Sequence, residues 1–448
     1  MKNYETTTKI ITILNYMVAL RNFIDPRKHR LKFICSWIWN TLLIVVLSVF
    51  TIHAQIQNIK YHMVYNIESV TYMFQYTTHV LGYISIMIIG LYQSKNVSAL
   101  IKQIDKVDER LKKFGIKIEY RSLFRHLTIV GSFWLLNAVV ASAIFIRILI
   151  QDILSPPAAF ITFTYYYITN AQSVVLYDYN TAIYWLGSRF KMINELLETF
   201  LLEKYKVKAE ESNTETIFEP SHNFQNRIEL NNWLSERSSN VPGVSAMSAV
   251  SNVNQKIVQE KVHILRQIRF VHLQVCKVSK MVNDIFNVQI LIYTITTLLH
   301  CTICVYSLYM NLHRGLRFII DQLDMISMYM LDSVVGTLKI ALMSYDCEYT
   351  MRQANKTIGN IHAYPVHEGN AELTDEILHF SWQISYTQLE KTKSVHYILN
   401  YGFVRYCLNF VISYLVIMIQ WSQNLIKKDP ILMTNETTTL YENTSVVV

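Results

Sequence analysis

An all-α membrane protein of seven transmembrane helices, with a cytosolic N-terminus and an extracellular C-terminus, is the fold class this sequence predicts. Three observations predict it. The apolar residues fall in blocks about 20 long, the length a helix needs to cross a bilayer, and charged stretches separate the blocks. Glycine and proline are scarce, at 11 and 7 in 448 residues, which suits long helices and disfavours a β-barrel. With the N-terminus inside, 33 of the 41 Lys and Arg fall in cytosolic segments; setting aside the longest loop still leaves 20 against six outside. The 51% hydrophobic content decides nothing by itself, because soluble domains are also about half apolar. Many of the 29 tyrosines flank apolar blocks, as interfacial aromatic belts require.

The N-terminal segment, residues 1–32, is read as cytosolic. Residues 10–20 imitate a signal-peptide core, but Asn15 interrupts them and Arg21 stands where a small-residue cleavage site belongs. Ile10, Ile11, Leu14, Met17, Val18 and Leu20 share a face, so a short amphipathic helix at the inner membrane surface is expected. After the basic run at 27–32, the first four spans and their connections occupy 33–196. Span 1 covers 33–52. Span 2 covers 72–92, with Gln75, Thr77, Thr78 and His79 in its first half. The charged stretch 95–125 has helical spacing and is placed in the cytosol.

Span 3 covers 127–146, and a turn at Ser155-Pro156-Pro157 leads to span 4 at 159–186. The pattern continues past span 4 as one helix entering the cytosol. Residues 197–285 hold cytosolic helical extensions around a Ser-, Asn- and Glu-rich insertion at about 210–251 that is expected to be disordered. Spans 5 (286–309) and 6 (323–344) fall in the block 286–344, and cytosolic helices follow at 345–396. Span 7 covers 397–421, leaving an extracellular tail at 422–448. That tail carries two N-glycosylation sequons, at Asn435 and Asn443.

The net charge of +8 is explained by the positive-inside bias, so no nucleic-acid partner is expected. None of the six cysteines lies in a segment placed outside the cell, which implies no disulfide framework. Cys301 and Cys304 sit inside an apolar span without companion ligands and are read as packing residues. There is no phosphate loop, no H-E-x-x-H and no nucleophile elbow. No enzyme activity, cofactor or metal is therefore expected.

Span 7 holds Ser413, Tyr414, Gln420 and Trp421 in the pattern S-Y-x5-Q-W. This closely resembles the T-Y-x5-Q-F signature of insect gustatory receptors, in the seven-transmembrane insect chemoreceptor superfamily. Arg189-Phe190 with Ile193-Asn194 after span 4 looks like the family's pattern there. So does Cys347 followed by Ala354-Asn355-Lys356-Thr357 after span 6. The resemblance covers roughly residues 30–425. It implies a homo- or hetero-tetramer with other gustatory receptor subunits, working as a ligand-gated cation channel. A small-molecule tastant would open it in the plasma membrane of a sensory neuron, and permeating cations would depolarise the cell. The family's pore runs along the last helix, and its cytosolic extensions hold subunits together. Members resembling sugar receptors carry Glu after the motif tyrosine; here Leu415 stands there, which argues against a sugar. The alternatives are an odorant-receptor-type channel subunit and a G-protein-coupled seven-helix receptor; the latter predicts the opposite orientation.

Ser413, Ile417 and Gln420 lie along one helical stripe, with Trp421 beside it. Rings of four would supply hydroxyl and amide dipoles, an apolar constriction at Ile417 and an aromatic rim. The competing reading makes Gln420 and Trp421 interfacial anchors. For ligand binding the candidates are Tyr166, Tyr167, Asn170, Asp332 and His300, with His79 a weaker one. A mid-membrane Asp is costly, at about 2.5–3.5 kcal/mol on insertion scales, and has to face the bundle interior or a wet cavity. Pairing with Lys339, two turns along, is the structural alternative, and Lys339 itself could instead snorkel to the interface. Phe163, Tyr166, Tyr167 and Asn170 offer an aromatic face with a polar tip, the composition of a ligand pocket, although such faces are more often packing.

Overall fold

The computed structural model describes residues 4–21, 30–61, 67–150, 156–211, 246–314, 323–362, 371–387, 399 and 401–428. Ten helices occur among them: α1 (Tyr4–Thr7), α2 (Lys9–Met17), α3 (Arg30–Tyr61), α4 (Ile67–Lys113), α5 (Arg121–Ile150), α6 (Pro156–Glu211), α7 (Ala246–Arg314), α8 (Leu323–His362), α9 (Ala371–Thr387) and α10 (Tyr401–Lys428). The sequons at Asn435 and Asn443 lie outside the described residues, as does most of the expected insertion. Helix α7 begins at Ala246, within the last part of that stretch.

Among the described residues, five helices are long and apolar enough to cross a membrane: Met73–Lys113, Arg121–Ile148, Val258–His313, Ile326–His362 and Gly402–Trp421. They overlap expected spans 2, 3, 5, 6 and 7. Expected span 1 corresponds to the shorter apolar helix Ile34–Phe50 within α3. Expected span 4 lies in α6, of which no described stretch is apolar enough by composition alone. The physical reason is position. Gln172, Ser173, Asp178, Asn180 and Thr181 of α6 are all buried, so this helix meets protein on its polar side. Helices α3 and α5 instead expose apolar side chains such as Trp37, Ile38, Leu42, Leu135, Leu136 and Val139, the faces a bilayer would cover.

At ~1.5 Å per residue, α4, α6 and α7 are each far longer than a ~30 Å hydrocarbon core. The charged stretch after span 2 continues α4 without a break to Lys113. Gly115 then turns the chain at φ +76°, a conformation glycine takes without steric penalty, and α5 follows. Helix α7 is the hub of the bundle, packing against α4, α6, α8, α9 and α10.

Two buried charge clusters tie distant segments together. In the first, Arg189 of α6 donates to Asp108 of α4 through Nε (2.6 Å to Oδ1) and Nη2 (3.1 Å to Oδ2). Tyr120 also donates to Asp108, and burial, with the neighbouring carboxylate second, holds its phenol pKa well above the ordinary value. The guanidinium carbon of Arg189 lies 5.2 Å from the Trp185 ring centroid. In the second, Asp178 of α6 accepts from Arg21 and from Asn15 Nδ2, the latter at 3.3 Å. The expected short helix is present as α2, and the segment is also tied into the bundle. Ile11, Asn15, Ala19 and Leu20 are buried in the bundle, while Ile10 and Met17 are exposed. Tyr83 donates to the Val18 carbonyl (2.6 Å) and Trp39 Nε1 to that of Met17 (3.1 Å). The Leu20 carbonyl sits where a β-carbon on Gly90 would be, so this approach requires glycine.

The residues that carried the family resemblance after spans 4 and 6 are inter-helix staples. Thr357 Oγ1 donates to Asn194 Oδ1 (2.7 Å), and Asn194 Nδ2 donates to the Gln353 carbonyl (2.7 Å), locking α6 to α8. The Phe190 ring meets His272 of α7 at 5.6 Å, and His272 meets Phe380 of α9 at 5.4 Å. Arg269 Nε donates to Glu376 Oε1 (2.6 Å), which fastens α9 to α7.

Two stability outcomes are expected from thermal unfolding of detergent-solubilised protein. Arg189→Met leaves Asp108 buried without its cation and costs about 3–5 kcal/mol, whereas Arg189→Met combined with Asp108→Leu recovers most of the loss. Gly90→Val forces Leu20 and the N-terminal segment out of place and costs at least the ~1–3 kcal/mol of an overpacked core.

Candidate functional site

A cavity of about 20 Å³ lies among five helices. Its wall takes His79 from α4, Asn137 from α5, Tyr166 and Asn170 from α6, His300 from α7 and Asp332 from α8. Gln172, Tyr293, Gly336 and Lys339 complete much of the rest. The volume is that of about one water molecule.

Beside it runs a polar network centred on Tyr165. Its hydroxyl lies 2.5 Å from His300 Nδ1 and 3.5 Å from His79 Nε2, and it accepts from Gln75 Nε2 at 2.8 Å. Gln75 Nε2 is also 2.5 Å from His300 Nδ1. The two histidine rings stand edge to face, with centroids 5.7 Å apart. Gln172 Nε2 donates to the His79 carbonyl at 3.0 Å, joining α6 to α4 at the cavity wall. Four buried polar atoms in this region have no partner among the described residues: Gln75 Oε1, His79 Nδ1, Asn137 Oδ1 and Asn170 Oδ1. An apolar bundle seldom leaves such groups unmatched, because each costs its full desolvation.

Of the five residues singled out for ligand binding, Tyr166, Asn170, Asp332 and His300 share this cavity, and His79 joins them. Tyr167 does not line it; its ring packs edge-on against Tyr83 at 6.3 Å. Phe163 is exposed, so it does not continue the face on which Tyr166 and Asn170 line the cavity. Thr169 and Gln172 line the same cavity, and Tyr165, one residue from Tyr166, carries the polar network beside it. Asp332 and Lys339 share the cavity wall and act on each other electrostatically, without a contact of ion-pair length. Lys339 Nζ donates to Ser173 Oγ of α6 at 2.8 Å, and Asp332 takes part in none of the ion pairs among the described residues. Sequence reading passed over Gln75, Asn137, Tyr165 and Gln172. The spacing of Gln75 and His79, four apart on one face of span 2, was the available signal.

The pore candidates sit elsewhere. Helix α10 packs on α7 and α8, with Phe403 and Cys407 buried. Beyond that contact Ser413, Ile417, Gln420 and Trp421 are all exposed along one stripe. Cys407 lies within electrostatic range of Cys301, the residue that follows His300 on α7. Cys301 in turn faces α8, with its sulfur 3.8 Å from the Ser333 carbonyl. One α7–α8 crossing therefore stands between the cavity and α10.

Gln75→Leu is expected to leave Tyr165 and His300 without their shared donor. It should cost about 1–3 kcal/mol, read as a lowered thermal midpoint of the solubilised protein. Comparison with known proteins locates the whole arrangement. The 7tm chemosensory receptor family matches residues 8–425. No match was found among curated proteins. A match over nearly the full chain, on a bundle of long apolar helices around an internal polar cavity, settles the family: this chain belongs to the 7tm chemosensory receptors.

Proposed function

We propose that this chemosensory receptor is a gustatory receptor, a ligand-gated cation channel that binds a small-molecule tastant and depolarises a sensory neuron. The observation that carries the reading is the polar cavity enclosed by α4 to α8, whose α7 and α8 walls also hold α10. A cavity with room for about one water must widen to admit a tastant. Widening it moves α7 against α8 near Cys301 and Gly336, where a β-carbon on Gly336 would come within 3.1 Å of Cys301 Sγ. Because α10 rests on both helices, that displacement reaches the last helix directly. A ligand that binds only the widened form shifts the population by its differential affinity.

The channel part rests on α10 and on the S-Y-x5-Q-W resemblance. Ser413, Ile417, Gln420 and Trp421 face away from their own subunit. Four copies of α10 would bring them together as polar, apolar and aromatic rings around an axis. In this reading the chain spans the plasma membrane seven times, with α3 and α6 supplying the two spans that composition leaves short. The N-terminus is cytosolic. The tail is extracellular, with glycan acceptors at Asn435 and Asn443.

Whole-cell recording with G-protein signalling blocked tests the reading. A tastant-evoked cation current is expected within milliseconds, and Gln420→Glu should raise its divalent-to-monovalent permeability ratio. A response abolished by the G-protein block would overturn the ionotropic mechanism.

A further inference from the structure

The unspent hydrogen-bonding capacity of the cavity wall includes two amide oxygens. Asn137 Oδ1 and Asn170 Oδ1 are acceptors without a donor, and His79 Nδ1 has no partner. Their orientation is not arbitrary in the case of Asn170, whose Nδ2 is committed to the Tyr166 carbonyl at 2.9 Å, so its oxygen must point the other way. His79 and Asn137 are 2% and 7% exposed, so bulk water does not satisfy them. The carboxylate of Asp332 lines the same space and takes part in none of the ion pairs among the described residues, Lys339 acting on it only from beyond ion-pair length. Lys339, a cation on the wall, is drawn towards α6 by its bond to Ser173. A group that matches this wall carries several N–H donors and a positive charge. A primary ammonium has three donors, no acceptor and a full charge, whereas a hydroxyl brings one donor and no charge.

Resting on the assignment of this cavity as the ligand site, we propose that it recognises a primary ammonium group. Asp332 acts as its counter-ion, and Asn170 and Asn137 accept its remaining protons. The carboxylate decides between ammonium and neutral donors. A buried carboxylate gains most from a partner that offsets its desolvation with both charge and hydrogen bonds. Small ammonium ions bind first, because the closed cavity is small and each added methylene requires further widening.

The test measures thermal stabilisation of the purified full chain in detergent. The probes are the chloride salts of methyl-, ethyl-, propyl- and butylammonium, each paired with the alcohol of equal chain length. Ammonium ions are expected to raise the midpoint in a saturable way, and alcohols are not. Asp332→Asn should raise the half-saturating concentration by about 10- to 100-fold, the loss of one charge-assisted hydrogen bond. Asn170→Leu, which keeps the carboxylate, should raise it several-fold and serves if Asp332→Asn does not fold. Stabilisation by alcohols that Asp332→Asn leaves unchanged overturns the ammonium assignment and keeps the cavity as the site. Ammonium stabilisation that survives Asp332→Asn and the cavity-filling Gly336→Val overturns the cavity itself. Absence of stabilisation by every ammonium probe overturns the proposal.

Discussion

The structure depends on one constraint: a polar group carried into an apolar bundle has to find its partner inside that bundle. Asp108 and Asp178 show what this imposes. Each is buried, and each is answered by an arginine far away in the chain, Arg189 and Arg21. Either arginine alone in that setting would be costly, and either carboxylate more so. The pairs do not add much net stability over an apolar packing of the same shape. They specify which helices stand together. Arg189 sets the lower part of α6 against α4, and Arg21 draws the N-terminal segment between α4, α6 and α7.

The same constraint explains why no described stretch of α6 is apolar enough by composition alone to cross a membrane. Its Gln172, Ser173 and Asn194 are spent on the His79 carbonyl, on Lys339 and on Thr357. A helix that supplies so many internal partners has to sit where protein surrounds it. Helices α3, α5 and α10 present many apolar side chains outward. The bundle thus sorts into an inner group that exchanges hydrogen bonds and an outer group that meets lipid. The cavity lies where the inner exchange is incomplete. Gln75 Oε1, His79 Nδ1, Asn137 Oδ1 and Asn170 Oδ1 gather there without partners, while others such as Asn180 Oδ1 and Gln274 Oε1 stand elsewhere in the bundle.

Function follows from shared walls. Helices α7 and α8 line the cavity on one side and seat α10 on the other. Packed helices do not deform continuously; they shift between discrete arrangements. In the proposed mechanism, a ligand that changes the spacing at Cys301 and Gly336 is coupled to the last helix through these two helices, with no long relay required.

Helical class, the main apolar stretches and the family were all legible in the chain itself. They rest on local features: blocks of about 20 apolar residues, scarce Gly and Pro, and short motifs at fixed spacing. Four residues that share the cavity were legible too, because Asp332, His300, Tyr166 and Asn170 are polar or amphipathic residues where lipid-facing ones would be apolar. The register of the neighbouring tyrosines on α6 was not. Tyr165, Tyr166 and Tyr167 are chemically equivalent in sequence, and only the packing of α6 against α4 and α7 turns Tyr165 towards His300. The partners of Asp178 and Lys339 were equally hidden, since nothing local ties Arg21 to residue 178 or Ser173 to residue 339. Sequence by itself determined which segments are helical and apolar, since periodicity and hydropathy are properties of neighbours along the chain. Tertiary structure decided which polar groups are spent and which are left open, since hydrogen bonds and ion pairs form between residues more than 150 positions apart.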